Sequence, residues 1–430
     1  MLNAVGVTFL VLILINFFLE ALLKLLNLRH LKQTAGNLPP VFLDYIDRAT
    51  HEKTVRYNLD SGKFSFLEMV VSLFLIIYFV YWGGFAWIDQ IARSVDPDGY
   101  YFPALIFGVL FFLIKAVIDL PFDLYGIFVI EERYGFNKMT PRLFVSDLIK
   151  SLALSALIGI PIYLGILWFM ARAGNLWWVW CWGFLMTFQI LMLIIYPIWI
   201  APLFNKFTPL EDGELKDEIL LLTKKTGFPF QGLFTMDGSK RSKHSNAFFT
   251  GIGRKKRIVL FDTLIAQMNV PQILSVLAHE IGHYKLRHIK KLFVISSLGS
   301  LLSLYLLSQL FNLEIFYQGF GFFHPSNYAA LVILSLSLSS LSFLFTPLFS
   351  ALSRKFEYKA DEFALKNLAN PKPMAEIIAV LAKENLSNLN PHPWYSFFHY
   401  SHPSPVERVN AMEKIITTQN HQPRLFILDK

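Results

Sequence analysis

The stretch VLAHEIGHYKLRH, residues 276–288, contains the pattern His-Glu-x-x-His inside an otherwise apolar segment. Pro271 lies a few residues upstream, where it suits the first turn of a helix. Residues four apart lie on one face of an α-helix, so His279 and His283 can reach the same metal ion. The pattern predicts that these histidines bind zinc and that Glu280 is a general base beside them.

The alternative is that the two histidines are ordinary helix residues with ordinary hydrogen-bond partners. The residues before the motif, VLA, are apolar. Histidine and glutamate are seldom placed in such surroundings unless a partner offsets the loss of water. The apolar neighbours therefore favour the metal site.

A catalytic zinc ion usually has three protein ligands and one open position. His288 is the nearest further histidine. If the helix continues to it, His288 lies about 180° around the axis from His279 and cannot reach the same ion. We therefore expect His288 to face solvent or lipid headgroups.

A carboxylate on a second helix is the better candidate for the third ligand. The segment RKFEYKADEFA, residues 354–364, offers Glu357 and Asp361 four residues apart. Glu357 can bind zinc, and Asp361 can accept the other ring N–H of a ligating histidine. The same spacing fits a surface helix with paired charges, and spacing alone leaves both alternatives open.

Long apolar runs dominate the rest of the chain. Of its 430 residues, 54% are hydrophobic and 16% are charged, whereas a soluble domain has about 25% charged residues. Buried core helices would explain shorter runs, but most of these reach the length of about 20 residues that a membrane span needs. The predicted fold class is therefore mainly α, a polytopic membrane protein. The seven predicted spans are 5–26, 66–88, 102–124, 148–170, 176–197, 292–311 and 329–352.

Basic residues in the connections predict the orientation of the spans. The first connection, 29–64, holds six lysines and arginines, whereas the connection between spans six and seven, 312–328, holds none. Basic loops stay in the cytoplasm. The amino terminus is therefore expected outside, with the carboxyl terminus and the HEIGH segment on the cytoplasmic side.

A cluster of basic residues precedes the HEIGH segment in a chain of net charge +8, so nucleic acid must be considered as a partner. No nucleic-acid-binding motif or interleaved aromatic pattern accompanies it, and we expect no nucleic-acid partner. Contact with anionic lipid headgroups is the favoured interpretation. The cluster comprises Lys240, Arg241, Lys243, Arg254, Lys255, Lys256 and Arg257.

Several separated motifs together resemble the integral-membrane zinc CAAX prenyl protease family, a gluzincin type. They are HEIGH, EYKADEFA, SKHSNAFFTG, KRIVLFDTL and, near the end, WYSFFHYSHPSPVERVNAM. The resemblance covers essentially the whole chain, including the placement of HEIGH just before the sixth span.

This resemblance implies one zinc ion held by His279, His283 and Glu357, with Glu280 as general base. It also implies that Asn246, His402 and Arg408 contact the substrate near the scissile bond, with His402 beside the developing oxyanion. Family folds enclose a water-filled intramembrane chamber capped by a zincin-type protease domain with a small β-sheet.

Charged residues inside the third predicted span agree with such a chamber. Lys115, Asp119 and Asp123 lie four residues apart, and ionisable residues within spans usually face a protein interior or water. A charged face at a misjudged span end is the alternative. SNAFFTG can likewise be an edge strand that an extended peptide joins, or a capped turn.

The resulting hypothesis is a membrane zinc endopeptidase that cleaves near the carboxyl terminus of prenylated or other membrane-associated proteins. A quality-control protease without prenyl specificity is the alternative, followed by a metal transporter and a non-catalytic scaffold. Glu280 argues against the last two, because such sites need no unliganded base. The expected membrane is the endoplasmic reticulum in a eukaryote and the inner membrane in a bacterium. The expected segments are 1–204 with spans one to five, 205–291 with the first part of the protease domain, 292–352 with the last two spans, and 353–430 with the second part.

Overall fold

A computed structural model describes residues 3–251, 256–368, 370 and 372–421 of the chain. Helices dominate these residues, and a small sheet accompanies them. The helices are α1 (Ala4–Thr34), α2 (Arg48–Tyr81), α3 (Gly84–Val95), α4 (Tyr101–Tyr125), α5 (Glu132–Tyr134), α6 (Pro141–Arg172), α7 (Trp177–Ile195), α8 (Ala201–Phe204), α9 (Glu214–Thr226), α10 (Asp262–Gln267), α11 (Val270–Lys285), α12 (His288–Leu310), α13 (Glu314–Gly319), α14 (Asn327–Asn367), α15 (Lys372–Glu384), α16 (Pro393–His399) and α17 (Pro405–His421).

Seven helical stretches among the described residues are long and apolar enough to cross a membrane, which confirms the predicted number. Two of them continue through a π-helical turn, Gly126–Glu131 after α4 and Tyr196–Ile200 after α7. The seven stretches are Ala4–Thr34, Arg48–Tyr81, Tyr101–Tyr134, Pro141–Arg172, Gly174–Phe204, His288–Leu310 and Asn327–Asn367.

The predicted second span extends too far. It was expected to run to residue 88, but α2 ends at Tyr81. Gly83 has a φ of 85°, a left-handed conformation that breaks the helix and that glycine adopts at little cost. The following helix α3 is amphipathic and buries Phe85 and Ile88. Hydrophobicity alone could not separate these two helices.

The seventh span and the helix that carries Glu357 are one continuous element. The sequence predicts a span that ends at residue 352 and a separate soluble stretch from 353, whereas α14 runs without interruption to Asn367. No glycine or proline occurs between residues 348 and 367 that would end the helix. The change from apolar to charged residues marks a change of surroundings, not a helix end.

The helix of the HEIGH motif, in contrast, is shorter than expected. Asn269 and Gln272 form a reciprocal capping box at the beginning of α11, with Pro271 in its first turn. The helix ends at Lys285, and Arg287 then adopts a left-handed conformation with a φ of 58°. The premise that the helix continues to His288 is therefore wrong.

The chain divides into two compact units. The first comprises Met1–Lys24, Ser61–Met192 and Leu292–Thr346, and its core contains stacked Phe85 and Phe322 rings with centroids 5.2 Å apart. In this unit, Lys115 and Asp119 of α4 form an ion pair of 2.5 Å with side chains 64% and 48% exposed. These two charged side chains are therefore not buried between helices.

The second unit comprises Leu25–Asp60, Leu193–Lys291 and Pro347–Lys430. It contains the sheet, whose strands are β1 (Phe207–Pro209), β2 (Gly232–Met236), β3 (Ala247–Thr250) and β4 (Arg257–Phe261), in the order β1-β2-β4-β3. β2, in the segment GLFTMD, and β4, in the segment KRIVLFD, are parallel neighbours. β4 contributes buried Ile258 and Leu260 to a core shared with Leu277 and Ile281 of α11.

Candidate active site

The three predicted metal ligands lie together in the second unit. His279 Nε2 is 3.1 Å from His283 Nε2 and 3.3 Å from Glu357 Oε2, and His283 Nε2 is 3.3 Å from Glu357 Oε1. His279 and Glu357 are buried, and His283 is half-buried. Two helices thus bring one nitrogen or oxygen of each residue to a common point.

The donor set and its spacing fit a zinc ion. Ligand atoms about 2.0–2.1 Å from a tetrahedral zinc are about 3.3–3.4 Å apart, close to the distances between these side chains. Two imidazole nitrogens so close together need a proton or a cation between them. Among the described residues, Glu357 Oε2 is buried without a hydrogen bond of acceptable geometry, although His402 and His279 are near it. A cation at this point would satisfy all three side chains.

Gly282, inside the motif, lets the two ligand-bearing helices approach closely. A Cβ at this position would lie 3.1 Å from both Cα and the carbonyl oxygen of Ala360 in α14. Such distances to backbone atoms leave no room for a larger residue. This role was not predicted from the sequence, although a glycine in the middle of a helix is the signal for it.

Asp361 and Arg408 form a network of hydrogen bonds on the Nδ1 side of the His279 ring. Asp361 Oδ1 is 2.6 Å from His279 Nδ1, and Arg408 donates to both carboxylate oxygens of Asp361 at 2.6 and 3.1 Å. Burial, the largest influence, lowers the pKa of His279, but hydrogen bonds with Asp361 and Glu357 raise it to about 9. The two carboxylates beside His279 thus favour a positive charge there. The structure places Arg408 against Asp361, and its contact with substrate stays a prediction.

His402 lies at the exposed side of the cluster. Its Nδ1 is 2.9 Å from Glu357 Oε2, while 65% of its side chain is exposed. Ser404 and Glu407 cap the beginning of α17, since Ser404 N donates to Glu407 Oε2 at 2.7 Å and Glu407 N to Ser404 Oγ at 3.3 Å. Arg354 holds the preceding segment by donating to the carbonyl oxygens of Ser396, Phe397 and Tyr400. The loop with His402 is thus fixed at both ends.

Glu280 and Asn246 occupy positions that suit their predicted roles without testing them. Glu280 follows His279 on α11 and is half-buried. Asn246 precedes β3, and its carbonyl oxygen accepts a hydrogen bond from Phe261 N at 3.0 Å. β3 forms an edge of the sheet among the described residues. An edge strand leaves backbone groups available to an extended peptide.

His288 is buried, contrary to the position predicted from the sequence. It is 1% exposed, its Nδ1 lies 3.1 Å from His283 Nδ1, and its ring stacks on Phe356 at 4.1 Å. The left-handed conformation of Arg287 turns the chain back toward the site, so the helical-face argument fails. The expectation that His288 faces solvent or headgroups is wrong.

Two of the described basic residues before the motif, Arg241 and Lys256, contact other side chains or carbonyl groups of the protein. Arg241 donates to Asn205 Oδ1 and to the Phe204 carbonyl oxygen, both at 2.7 Å. Lys256 lies over the Tyr284 ring at 3.5 Å. Arg254 and Lys255 lie outside the described residues. Headgroup contact stays a prediction.

Comparison with known proteins assigns the family. Residues 27–206 match the family model described as CAAX prenyl protease N-terminal, five membrane helices, and residues 209–416 match that of peptidase family M48. The chain is 38% identical to CAAX prenyl protease 1 of Saccharomyces cerevisiae, with 93% of each chain covered. It is 32% identical to the human CAAX prenyl protease 1 homolog, with 90% of each covered.

The overall structure agrees with a solved one. The crystal structure of S. mikatae Ste24p matches with a TM-score of 0.88 at 35% identity, covering 95% of this chain and 99% of that one. The agreement extends over both the membrane helices and the part that contains the HEIGH motif. This chain therefore belongs to the CAAX prenyl protease family of multi-pass membrane M48 metallopeptidases.

Proposed function

We propose that this protein is a zinc endopeptidase that cleaves near the carboxyl terminus of prenylated, CAAX-type proteins at the membrane. The observation that carries the proposal is the convergence of His279, His283 and Glu357 beside Glu280. An HExxH helix with a separate glutamate is the arrangement of zinc-dependent peptidases. The similar proteins are named for CAAX prenyl proteolysis, which supports the substrate class.

One zinc ion per chain would be held by His279, His283 and Glu357. Zinc bound there would supply Lewis-acid chemistry, lowering the pKa of water toward about 7. Asp361 accepts the Nδ1–H of His279 and thereby holds the imidazole with its Nε2 toward His283 and Glu357, where a zinc ion would bind. Arg408 holds Asp361 through two hydrogen bonds. The chain thus orients the ligands before substrate arrives.

Glu280 acts as the general base and then as the general acid. Its carboxylate takes a proton from the attacking water as the new carbon–oxygen bond forms. It then delivers that proton to the amide nitrogen as the carbon–nitrogen bond breaks. The two transfers return Glu280 to its ionised form and leave a carboxylic acid and an amine, between which the second proton of the water then passes to give a carboxylate and an ammonium group.

His402 and the edge of the sheet position the substrate. The largely exposed ring of His402 can donate an N–H to the carbonyl oxygen as negative charge develops there. An extended peptide can pair with β3, with Asn246 at the beginning of that strand. Together these contacts select an extended, accessible segment of a protein chain.

The orientation predicted from the charges of the connections would put this site on the cytoplasmic side. The membrane would be the endoplasmic reticulum in a eukaryote and the inner membrane in a bacterium, with anionic headgroups near the basic cluster. Cysteines introduced into 312–328 and at Lys256 should therefore label from opposite sides of the membrane. Cys181, the one cysteine of the natural sequence, is buried and should contribute little labelling of its own. Labelling from the same side would reverse this orientation.

The test uses the full-length protein purified in detergent and reconstituted into liposomes. Metal analysis should find one zinc per chain, and a chelator should abolish cleavage of a farnesylated CAAX peptide until zinc is restored. Equal cleavage of the unprenylated peptide would favour a protease without prenyl specificity. A protein that binds zinc and cleaves neither peptide would favour a metal transporter.

A further inference from the structure

The chain turn after α11 brings a third histidine behind the second ligand. Arg287 has a φ of 58°, and the next residue, His288, begins α12. This turn carries the His288 side chain to a buried position against His283. His288 does not belong to the cluster whose donor atoms converge. His288 contacts the edge of the His283 ring that faces away from this cluster.

The geometry determines which atom donates between the two rings. His283 Nε2 faces His279 and Glu357, so its Nδ1 faces away from the cluster, 3.1 Å from His288 Nδ1. A neutral imidazole whose Nε2 lone pair is directed at a metal carries its hydrogen on Nδ1. His283 Nδ1–H therefore donates to the Nδ1 lone pair of His288, which in turn carries its hydrogen on Nε2.

A ring stack holds His288 in the orientation that accepts this bond. The rings of His288 and Phe356 are nearly parallel, with an interplanar angle of 9° and centroids 4.1 Å apart. Phe356 directly precedes Glu357 in α14. Through His288, the second ligand on α11 and the third ligand on α14 are thus tied to the same buried pair of rings.

We propose that His288 is a positioning residue that fixes the orientation and tautomer of His283 for metal binding. It does for His283 what Asp361 does for His279, but with a neutral acceptor instead of a carboxylate. This inference rests on the zinc site proposed above. Metal-ligating histidines commonly have such a partner for their second nitrogen, and its loss typically weakens metal binding about 10–100-fold.

Two variants separate the hydrogen bond from the stack. His288→Phe keeps an aromatic ring against Phe356 and removes the acceptor, whereas His288→Asn places an amide oxygen near the former Nδ1 and removes the ring. We expect zinc to leave the Phe variant about 10–100 times faster in excess chelator, and the Asn variant to stay close to the parent. The visible spectrum of the cobalt-substituted Phe variant should also change. The metal-free proteins serve as the folding control, through their thermal midpoints.

His51→Phe is the matched control, since His51 is also a buried histidine of the second unit. It should leave zinc release unchanged. Parent-like zinc release from His288→Phe would overturn the inference, and so would equal acceleration in both His288 variants. If neither variant folds, nitrogen-15 spectra of the zinc-loaded parent decide, because hydrogen on His288 Nδ1 would contradict the proposed bond. A parent that binds no zinc would instead refute the proposed function.

Discussion

His402 Nδ1 lies 2.9 Å from Oε2 of Glu357, the carboxylate that faces both histidines of the HEIGH motif. The contact places the imidazole at the border between the buried cluster and solvent, since Glu357 is buried and most of the His402 ring is exposed. A donor at this border can act on a substrate oxygen without being a ligand itself. The proximity to Glu357 also raises the question whether His402 contributes to metal retention.

Replacing His402 with alanine distinguishes these two roles. We expect turnover of the His402→Ala variant to fall about 10²–10³-fold while zinc content stays near one per chain, because an oxyanion donor acts mainly in the transition state. Turnover of a farnesylated peptide and metal content would be measured on the same preparation. Zinc loss as large as that of a ligand variant would make His402 part of the metal site.

Removing Glu357 should abolish stable zinc binding. Glu357→Ala removes a direct ligand and is expected to weaken zinc binding more than about 100-fold. Replacing even a residue that only hydrogen-bonds to a ligand weakens metal binding about 10–100-fold. Glu362→Ala is the matched control, because Glu362 lies on the same helix in an exposed pair with Lys366. Equal zinc content in the two variants would exclude Glu357 as a ligand.

Asp361→Asn should weaken both zinc binding and the fold. The amide can still approach His279, but Arg408, which is 17% exposed, loses its carboxylate partner. We expect zinc binding about 10–100-fold weaker and a free energy of unfolding lower by about 3 kcal/mol. Asp212→Asn removes an exposed pair with Lys216 and should change neither quantity measurably. Parent-like zinc binding in Asp361→Asn would remove Asp361 from the site.

The packing of α11 against α14 can be tested at Gly282. A methyl group there meets the backbone of Ala360, so Gly282→Ala should separate the ligand-bearing helices and destabilise the protein by about 1–3 kcal/mol, with loss of zinc. Gly299→Ala is the control, because a Cβ at Gly299 meets no atom within 4 Å. In a helix that change is expected to be neutral or stabilising by up to about 1 kcal/mol. The thermal midpoint should therefore fall in Gly282→Ala and stay unchanged or rise in Gly299→Ala.

The membrane helices and the first two ligands could be predicted because their signals are local. Apolar length predicts a span, and the four-residue spacing of His279 and His283 predicts a shared helix face. The third ligand depends on a contact between residues 74 or more apart in sequence, so the spacing around Glu357 could not select it. The resemblance to the family supplied that choice, and the structure brings the three residues together.

His288 shows why the remainder could not be predicted. Its position depends on the backbone conformation of Arg287, and arginine rarely adopts a positive φ. A helical pattern continued past this residue gives the wrong face for His288 and hides its contact with His283. Each of the two units combines three separate stretches of the chain. The four segments expected from the sequence follow the order of the spans instead, and as a description of domain organisation they stay a prediction.

Glu280 is the residue that separates a peptidase from a protein that only holds a metal. It follows His279 on α11 and lies outside the set of converging ligand atoms. Glu280→Gln keeps nearly the same volume and still hydrogen-bonds water, but its amide cannot accept a proton. We expect near-normal zinc content and thermal midpoint, with turnover reduced about 10²–10⁴-fold, the usual contribution of general acid–base catalysis.

The measurement for Glu280→Gln is single-turnover cleavage of a farnesylated CAAX peptide in liposomes, with zinc content determined on the same sample. Glu362→Gln, an equivalent change at an exposed position of α14, should leave both values at the parent level. Cleavage by Glu280→Gln at the parent rate would remove Glu280 from the mechanism. Loss of zinc in step with activity would instead show that the glutamate supports the metal site, because a base that moves only protons leaves the ligands in place.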